Sequence, residues 1–322
     1  MKPSFHARLL NGPFEDPGLY VRLLREGRAL LFDLGFTTGL SARDTLKVNT
    51  IFVSHAHIDH FIGFESILRL HLKRERPLRL FGPEGFLKCV EGKLRGYAWN
   101  LVGDYPLVIE ASEVNDKEII KAVFRAENSF SKENSGSVAY KDGVLIKDSF
   151  FKVSTAVLDH QIPCLAFCLE EDYHINIDKA KLNDLGLPVG PWLGELKDAI
   201  RRSMTDSVFR INDKEFSFDE LKDIAGITKG QKLSYVVDVL GSEDNIRKIA
   251  ELVKGSDVLY IEACFLHKDR ERAKERFHLT AKEAGRIARE AGAGNLVVFH
   301  FSPKYMDNPE EIIKEAEEEF RR

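Results

Sequence analysis

Long apolar runs are missing from this sequence of 322 residues. No window approaches the roughly 18 uninterrupted apolar residues that read as a membrane-crossing helix, and the opening Met1-Lys-Pro-Ser-Phe-His6 lacks an apolar run of signal-peptide length. A cytoplasmic location is therefore expected, with no membrane partner. Cysteine is scarce too. Cys89, Cys164, Cys168 and Cys264 are irregularly spaced, and Cys164 and Cys168 fall in an apolar run that reads as a strand, so buried thiols are expected rather than a disulfide framework. Positive charge is not in excess either, since 47 Lys and Arg stand against 51 Asp and Glu for a formal net charge of -4. Bulk charge does not announce a nucleic-acid binder, and any such surface has to be a local patch. The 43% hydrophobic content is enough for one large or two modest cores.

What is present is histidine, concentrated in one place. In Ile51-Phe-Val-Ser-His55-Ala-His57-Ile-Asp59-His60-Phe-Ile-Gly63, an apolar run leads to four side chains of metal-ligand type within six positions, and an amphipathic helical pattern begins near Gly63. The four therefore lie on a strand-to-helix loop. On an extended backbone, side chains two apart project to one side, which would let His55, His57 and Asp59 converge while His60 turns toward a second site. Imidazole and carboxylate donors without thiolate suit zinc, and argue against a closed structural centre. A polar surface loop is the competing explanation, and such crowding behind an apolar strand makes it the weaker one.

Ahead of the loop, residues 5–10, 19–24 and 29–33 read as short strands of an opening meander. Asp33 closes the third, as a turn residue or as a support for a metal-binding His. Phe64, Ile67, Leu68 and Leu72 recur at helical spacing, with His71 expected on the solvated flank. Residues 78–81 read as a strand followed by a helical stretch to about Trp99, an alternation that suits an α/β sandwich. The signal is weak over 107–140, where 128–137 reads as a polar loop between strands. Farther on, four apolar or β-branched runs each end in a side chain able to bind metal or move protons: Asp159-His160, Asp238, Glu262 and His300. Asp238 is read either as a carboxylate shared by two cations or as a cap for the next helix. His278 precedes Thr280-Ala-Lys-Glu283, a capping box that opens a helix. The Pro- and Gly-rich stretch 185–193 cannot be a continuous helix, and Lys197, Arg201 and Arg202 after it form a local basic cluster able to meet phosphates.

The pattern His-x-His-x-Asp-His resembles the signature of the metallo-β-lactamase fold superfamily. The resemblance implies an α/β chain folded as a four-layer αββα sandwich, here one domain over 1–322. Leu158-Asp159-His160, the Gly-Pro-rich stretch, Glu262-Ala263, His278-Leu-Thr280 and His300-Phe-Ser302 in turn resemble segments of tRNase Z, the endonuclease that trims precursor tRNA at its 3′ end. That likeness implies one metal on His55, His57 and His160, another on Asp59, His60 and His300, and Asp238 shared. Two Zn2+ ions are implied, with Mn2+ or iron as alternative occupants of such N/O sites. It also implies an inserted flexible arm over 175–231 that grips precursor tRNA, with Gly186, Pro188, Gly190, Pro191, Lys197, Arg201 and Arg202 as contacts. A homodimer is implied in which one subunit's arm serves the other's active site. Asp59 would orient or deprotonate the attacking water, and His278, held by Glu262, would protonate the leaving ribose 3′ oxygen. The sequence departs from the family at three places. Asn11-Gly-Pro13 stands where Gly-Thr-Ser and Pro-x-x-x-Arg-Asn elements are usual, Ile261 and Cys264 flank Glu262-Ala263 in place of His and Thr, and 103–140 has no family counterpart. Two other readings remain: a binuclear metallohydrolase acting on a small-molecule diester, which would not need the arm, and a non-catalytic binding protein, against which the complete ligand set speaks.

Overall fold

Short apolar and β-branched runs, cut every few residues by Gly, Pro and Asp, dispose the chain to pair as strands. In the computed structural model, which describes residues 4–24 and 26–322, eight strands form one sheet in sequence order. They are β1 (Phe5–Leu9), β2 (Leu19–Leu23), β3 (Arg28–Phe32), β4 (Val48–Phe52), β5 (Leu78–Pro83), β6 (Val108–Val114), β7 (Glu118–Arg125) and β8 (Lys132–Ala139). Met1 to Pro3 and Arg25, which the expected domain 1–322 includes, lie outside the described residues. Strands β3 to β6 run parallel, as the helices between them require, and the flanking pairs are antiparallel.

A second sheet begins with β9 (Val144–Lys147), β10 (Phe151–Asp159) and β11 (Pro163–Glu171). The chain then leaves it through β12 (Tyr173–Ile177), the helices Lys179–Asp184 and Trp192–Arg201, the hairpin of β13 (Val208–Ile211) and β14 (Lys214–Ser217), and β15 (Ala225–Lys229), which pairs back on β12. It returns with β16 (Lys232–Val236), β17 (Val258–Glu262) and β18 (Leu296–Phe299), giving the order β18-β17-β16-β11-β10-β9.

Three apolar clusters hold four layers together. Phe64, Ile67, Phe86 and Val90 pack helices Phe64–His71 and Phe86–Arg95 on the outer face of the first sheet. Phe32, Phe52, Phe167, Tyr235 and Phe299 fill the space between the sheets, with the Phe32 and Phe52 rings stacked at 5.0 Å. Ile246, Ile249, Ala284, Ile287 and Ile312 seat the helices Glu243–Val253, Ala281–Glu290 and Pro309–Phe320 on the second sheet. This is helix, sheet, sheet, helix, the four-layer αββα sandwich of the metallo-β-lactamase fold.

Local expectations fail at several points, each for a physical reason. His71 is not solvated but 4% exposed, its ring nitrogens 2.9 Å from the carbonyl oxygens of Ile67 and Val48. Residues 128–137 are not simply a loop, because most of them belong to β8. All eight β8 residues are exposed, so this edge strand has no buried face to imprint an apolar alternation on its sequence. Cys89 is exposed, while Cys164, Cys168 and Cys264 are buried free thiols. The excursion between β11 and β16 carries an apolar cluster of its own, with Leu182, Trp192, Leu196, Phe209, Phe218 and Leu221.

Candidate metal centre

His57 is extended, with φ -65° and ψ 158°, and caps the helical turn Ile58–Phe61. That turn corrects the partition expected from an extended backbone. Two-residue spacing no longer applies beyond His57, so Asp59 joins His60 rather than His55 and His57. The chain brings together His55, His57, His160 and Asp238 in one cluster and Asp59, His60, Asp238 and His300 in another, with the candidate ligand atoms of each within 4.8 Å of one another. Asp238 belongs to both, and the helix Glu243–Val253 takes its cap from Ser242 instead. His160, Asp238, Glu262 and His300 stand at or just beyond the C-terminal ends of β10, β16, β17 and β18, facing the loop after β4. The loop reaches them because Gly63 lies directly on Gly35. A Cβ on Gly63 would come within 2.2 Å of the Gly35 carbonyl oxygen.

Asp238 Oδ2 lies 3.1 Å from His60 Nε2, 3.4 Å from His55 Nε2 and 3.5 Å from His160 Nε2, while its Oδ1 lies 2.8 Å from His300 Nδ1. Asp59 Oδ2 is 3.3 Å from His60 Nε2 and 3.5 Å from His300 Nε2. Behind these side chains, Asp33 accepts hydrogen bonds from the Ser54 amide, the Ser54 hydroxyl and the Tyr235 hydroxyl, and sits 2.9 Å from His60 Nδ1. It thus supports a clustered His rather than merely ending a strand. His160 Nδ1 lies 2.7 Å from the Phe277 carbonyl oxygen, which leaves Nε2 to face the cluster. Asp33, Asp238 and His300 all hold left-handed backbone, with φ of 57°, 50° and 58°. Strain of this kind persists where the surroundings over-determine the conformation, as at functional sites.

Burial drives the pKa of His55 down to about 2, helped by its neighbour His60. Burial pushes the same way on His60 and His300, but Asp238 outweighs it at both, joined by Asp33 at His60, and both rings are held well above the ordinary range. Against its own burial, Asp238 is held well below the usual carboxylate range by His300 and His60. Protons and cations compete for such nitrogens. Among the described residues, His60 Nε2, Asp238 Oδ1 and His300 Nδ1 are buried and crowd together at 2.8 to 3.1 Å from carboxylate or imidazole atoms, without a well-directed hydrogen bond. Atoms left so are costly. Gathered in a set of imidazole and carboxylate donors, they fit divalent metal ions.

Beside the clusters, Glu262 Oε1 accepts from the amides of Val239 and Leu279, and Oε2 lies 2.8 Å from His278 Nδ1. Burial opposes protonation of His278, yet Glu262 overcomes it and raises the ring's pKa. His278 opens on a cavity of about 400 Å³ whose walls include Asp16, Asp59, His300, Arg272 and Arg276.

No protein-family model matches the chain. Curated relatives do. A protein named Ribonuclease Z from Deinococcus radiodurans is 29% identical over 306 residues, covering 94% of this chain and 91% of its own length. A Ribonuclease Z from Nanoarchaeum equitans is 29% identical over 295 residues, covering 89% of this chain and 79% of its own. The chain is a homologue of ribonuclease Z. Solved structures agree on the fold: YhfI, a metallo-β-lactamase fold protein from Bacillus subtilis, superposes with a TM-score of 0.55 at 14% identity, covering 98% of this chain and 92% of that one. The short form of human tRNase Z superposes with a TM-score of 0.51 at 18% identity, covering 94% and 93%.

In this ribonuclease Z homologue the residues expected on the arm are not one exposed patch. Gly186, at φ +63°, follows the helix Lys179–Asp184, and Trp192 Nε1 donates to the Pro188 carbonyl at 3.0 Å, folding the stretch with Gly190 and Pro191 back on the excursion's own core. Arg202 is exposed. Lys197 is buried, and Arg201 lies over the Phe150 ring 3.7 Å from Glu171, at the junction with the body. The excursion departs after Glu171, the far end of nine-residue β11, roughly 26 Å from the metal clusters at about 3.3 Å per residue. Sequence reasoning missed Ser54, Tyr235, Asp16, Arg272 and Arg276. Only the last two left a trace, four positions apart just ahead of His278.

Proposed function

We propose that this chain is a metal-dependent endoribonuclease that cuts precursor tRNA at its 3′ end and leaves a 3′-hydroxyl on the tRNA. The observation that carries this reading is the meeting of His55, His57, Asp59, His60, His160, Asp238 and His300 in two clusters that share Asp238. When bound, two Zn2+ ions, or Mn2+ or iron in the same donor set, supply an activated water and offset charge on the phosphate. The side chains do the rest. Asp59, its side chain 34% exposed toward the cavity, orients or deprotonates the attacking water. As the water oxygen bonds to phosphorus the bond to the ribose 3′ oxygen breaks, and the trailer keeps the phosphate. His278, held protonated by Glu262, gives its Nε2 proton to that departing oxygen.

The excursion serves as an arm for the tRNA body, with Gly186, Pro188, Gly190 and Pro191 in its turn and Lys197, Arg201 and Arg202 near its root. Its departure on the order of 26 Å from its own metal clusters supports a homodimer in which each arm serves the partner's site. A cytoplasmic location suits such a substrate, and among the described residues no helix is long and apolar enough to cross a membrane.

Purified protein loaded with zinc is expected to convert precursor tRNA to the mature end, and His300→Ala or chelation to abolish this. Loaded wild-type protein that leaves precursors intact would refute the reading. Arm excision separates it from small-diester hydrolysis. Tyr173 and Lys229 are cross-strand partners, so a tight turn can replace the lobe between them. Precursor cleavage should then fall at least tenfold while turnover of an activated small diester persists, whereas precursor cleavage at the full rate would remove the arm from the mechanism.

A further inference from the structure

We propose that Arg272 and Arg276 form a clamp for one backbone phosphate of the RNA, on the side of the cut that carries the leaving ribose. This rests on the ribonuclease reading and adds a substrate-positioning element to it. Five cations lie between residues 268 and 276. Three are engaged by carboxylates, Lys268 by Glu311 at 3.4 Å, Arg270 by Glu283 at 3.7 Å and Lys274 by Glu271 at 3.3 Å. Among the described residues no carboxylate stands within 4.0 Å of Arg272 or Arg276, and these two are the ones that line the cavity shared with His278, His300 and Asp59.

Position and orientation follow from the backbone. Arg272 and Arg276 are four apart, the second capping the helix Arg270–Glu275 through hydrogen bonds from its amide to Arg272 and Ala273, so both project to one side. The Arg272 guanidinium lies 6.0 Å over the Phe265 ring, which limits its swing without consuming its donors. Two residues past Arg276, His278 is tied back by its amide to the Ala273 carbonyl at 2.9 Å, so arginines and proton donor move as one body. His278 marks where the leaving 3′ oxygen sits. A phosphate held by the same segment is therefore upstream of the cut, on the tRNA rather than the trailer. A planar guanidinium offers the paired donors that a phosphate's oxygens accept.

The test is a cycle between protein and substrate. Precursors carrying a single uncharged methylphosphonate at the first, second or third linkage upstream of the cut are cleaved by wild-type protein and by R272A/R276A. Both side chains are exposed, so the variant is expected to melt and bind zinc as the wild type does. At one linkage the methylphosphonate should raise KM for wild-type protein by about tenfold, and the variant should show the same rise on unmodified RNA with no further rise on the modified one. The slope of log(kcat/KM) against log salt should shrink by about 0.7 when one phosphate of single-stranded RNA is no longer neutralised. R272K/R276K, which keeps charge but not the planar fork, should restore only part of the loss. Losses that multiply at all three linkages, or a variant with wild-type KM and slope, would overturn the clamp while leaving the ribonuclease reading intact. Wild-type protein unable to cut any precursor would instead overturn the ribonuclease reading.

Discussion

His278 is held by a neighbour that is itself fixed. Its carboxylate partner has no freedom left, because Glu262 is fully buried and one of its oxygens is spent on two amides. The remaining oxygen holds His278 Nδ1, which leaves Nε2 as the ring's free donor. If the ring's task is to protonate a poor leaving group, His278→Ala should cost about 10²- to 10⁴-fold in kcat on precursor RNA. On a diester whose nitrophenolate departs without a proton, the same variant should lose far less. Equal losses on the two substrates would reduce His278 to a support for the clusters. Glu262, His160, Asp238 and His300 were legible in the sequence because each ends an apolar run, where a polar side chain has few structural reasons to exist, and His278 because it stands just ahead of a capping box. Tyr235 and Ser54 were not, since a hydroxyl in a strand or just past its end says nothing about which buried carboxylate it meets. Arg272 and Arg276 were hidden by company, being two of five cations in nine positions with only geometry to tell which are already paired.

At the scale of the element, the loop after β4 depends on a backbone contact that no side chain could replace. Gly63 N donates to the Leu34 carbonyl at 2.8 Å, and the Gly63 Cα faces Gly35 with no space for a methyl group. Gly63→Ala must push apart the turn that holds Asp33 and the helix that follows the histidines. We expect a loss of about 1–3 kcal/mol in denaturant unfolding, together with less zinc retained per chain after dialysis than the wild type keeps. Unchanged stability and stoichiometry would mean that the loop has slack. Two elements were misread from sequence for opposite reasons. β8 carries no apolar period because neither of its faces is covered, whereas His71 looked solvated because polarity alone cannot tell a flank from a face. The alternation of strand and helix after the opening meander was legible, since each short apolar run is followed by an amphipathic stretch. The side that Asp59 takes was not legible from spacing, because it turns on whether one residue, Ile58, begins a helix.

For the whole molecule, the feature with the widest reach is the origin of the candidate ligands. His55, His57, Asp59 and His60 arrive from the first sheet, and His160, Asp238 and His300 from the second. Between the sheets at that end, the protein's own ties include the Leu165 amide on the Ser54 carbonyl, the Tyr235 hydroxyl on Asp33, and the Cys164 thiol near His55. A pair of cations seated there would act as a rivet through both halves of the sandwich. Each site held at a hundred times its dissociation constant adds about 2.7 kcal/mol to the folded state, so stripping the metal should lower the melting temperature by several degrees. Amide exchange should quicken first at the ligand-bearing ends of β16 and β18 and stay slow at their opposite ends. The same ions that cut the substrate would then decide how long the enzyme survives heat, and a cell short of zinc would lose the protein as well as its activity.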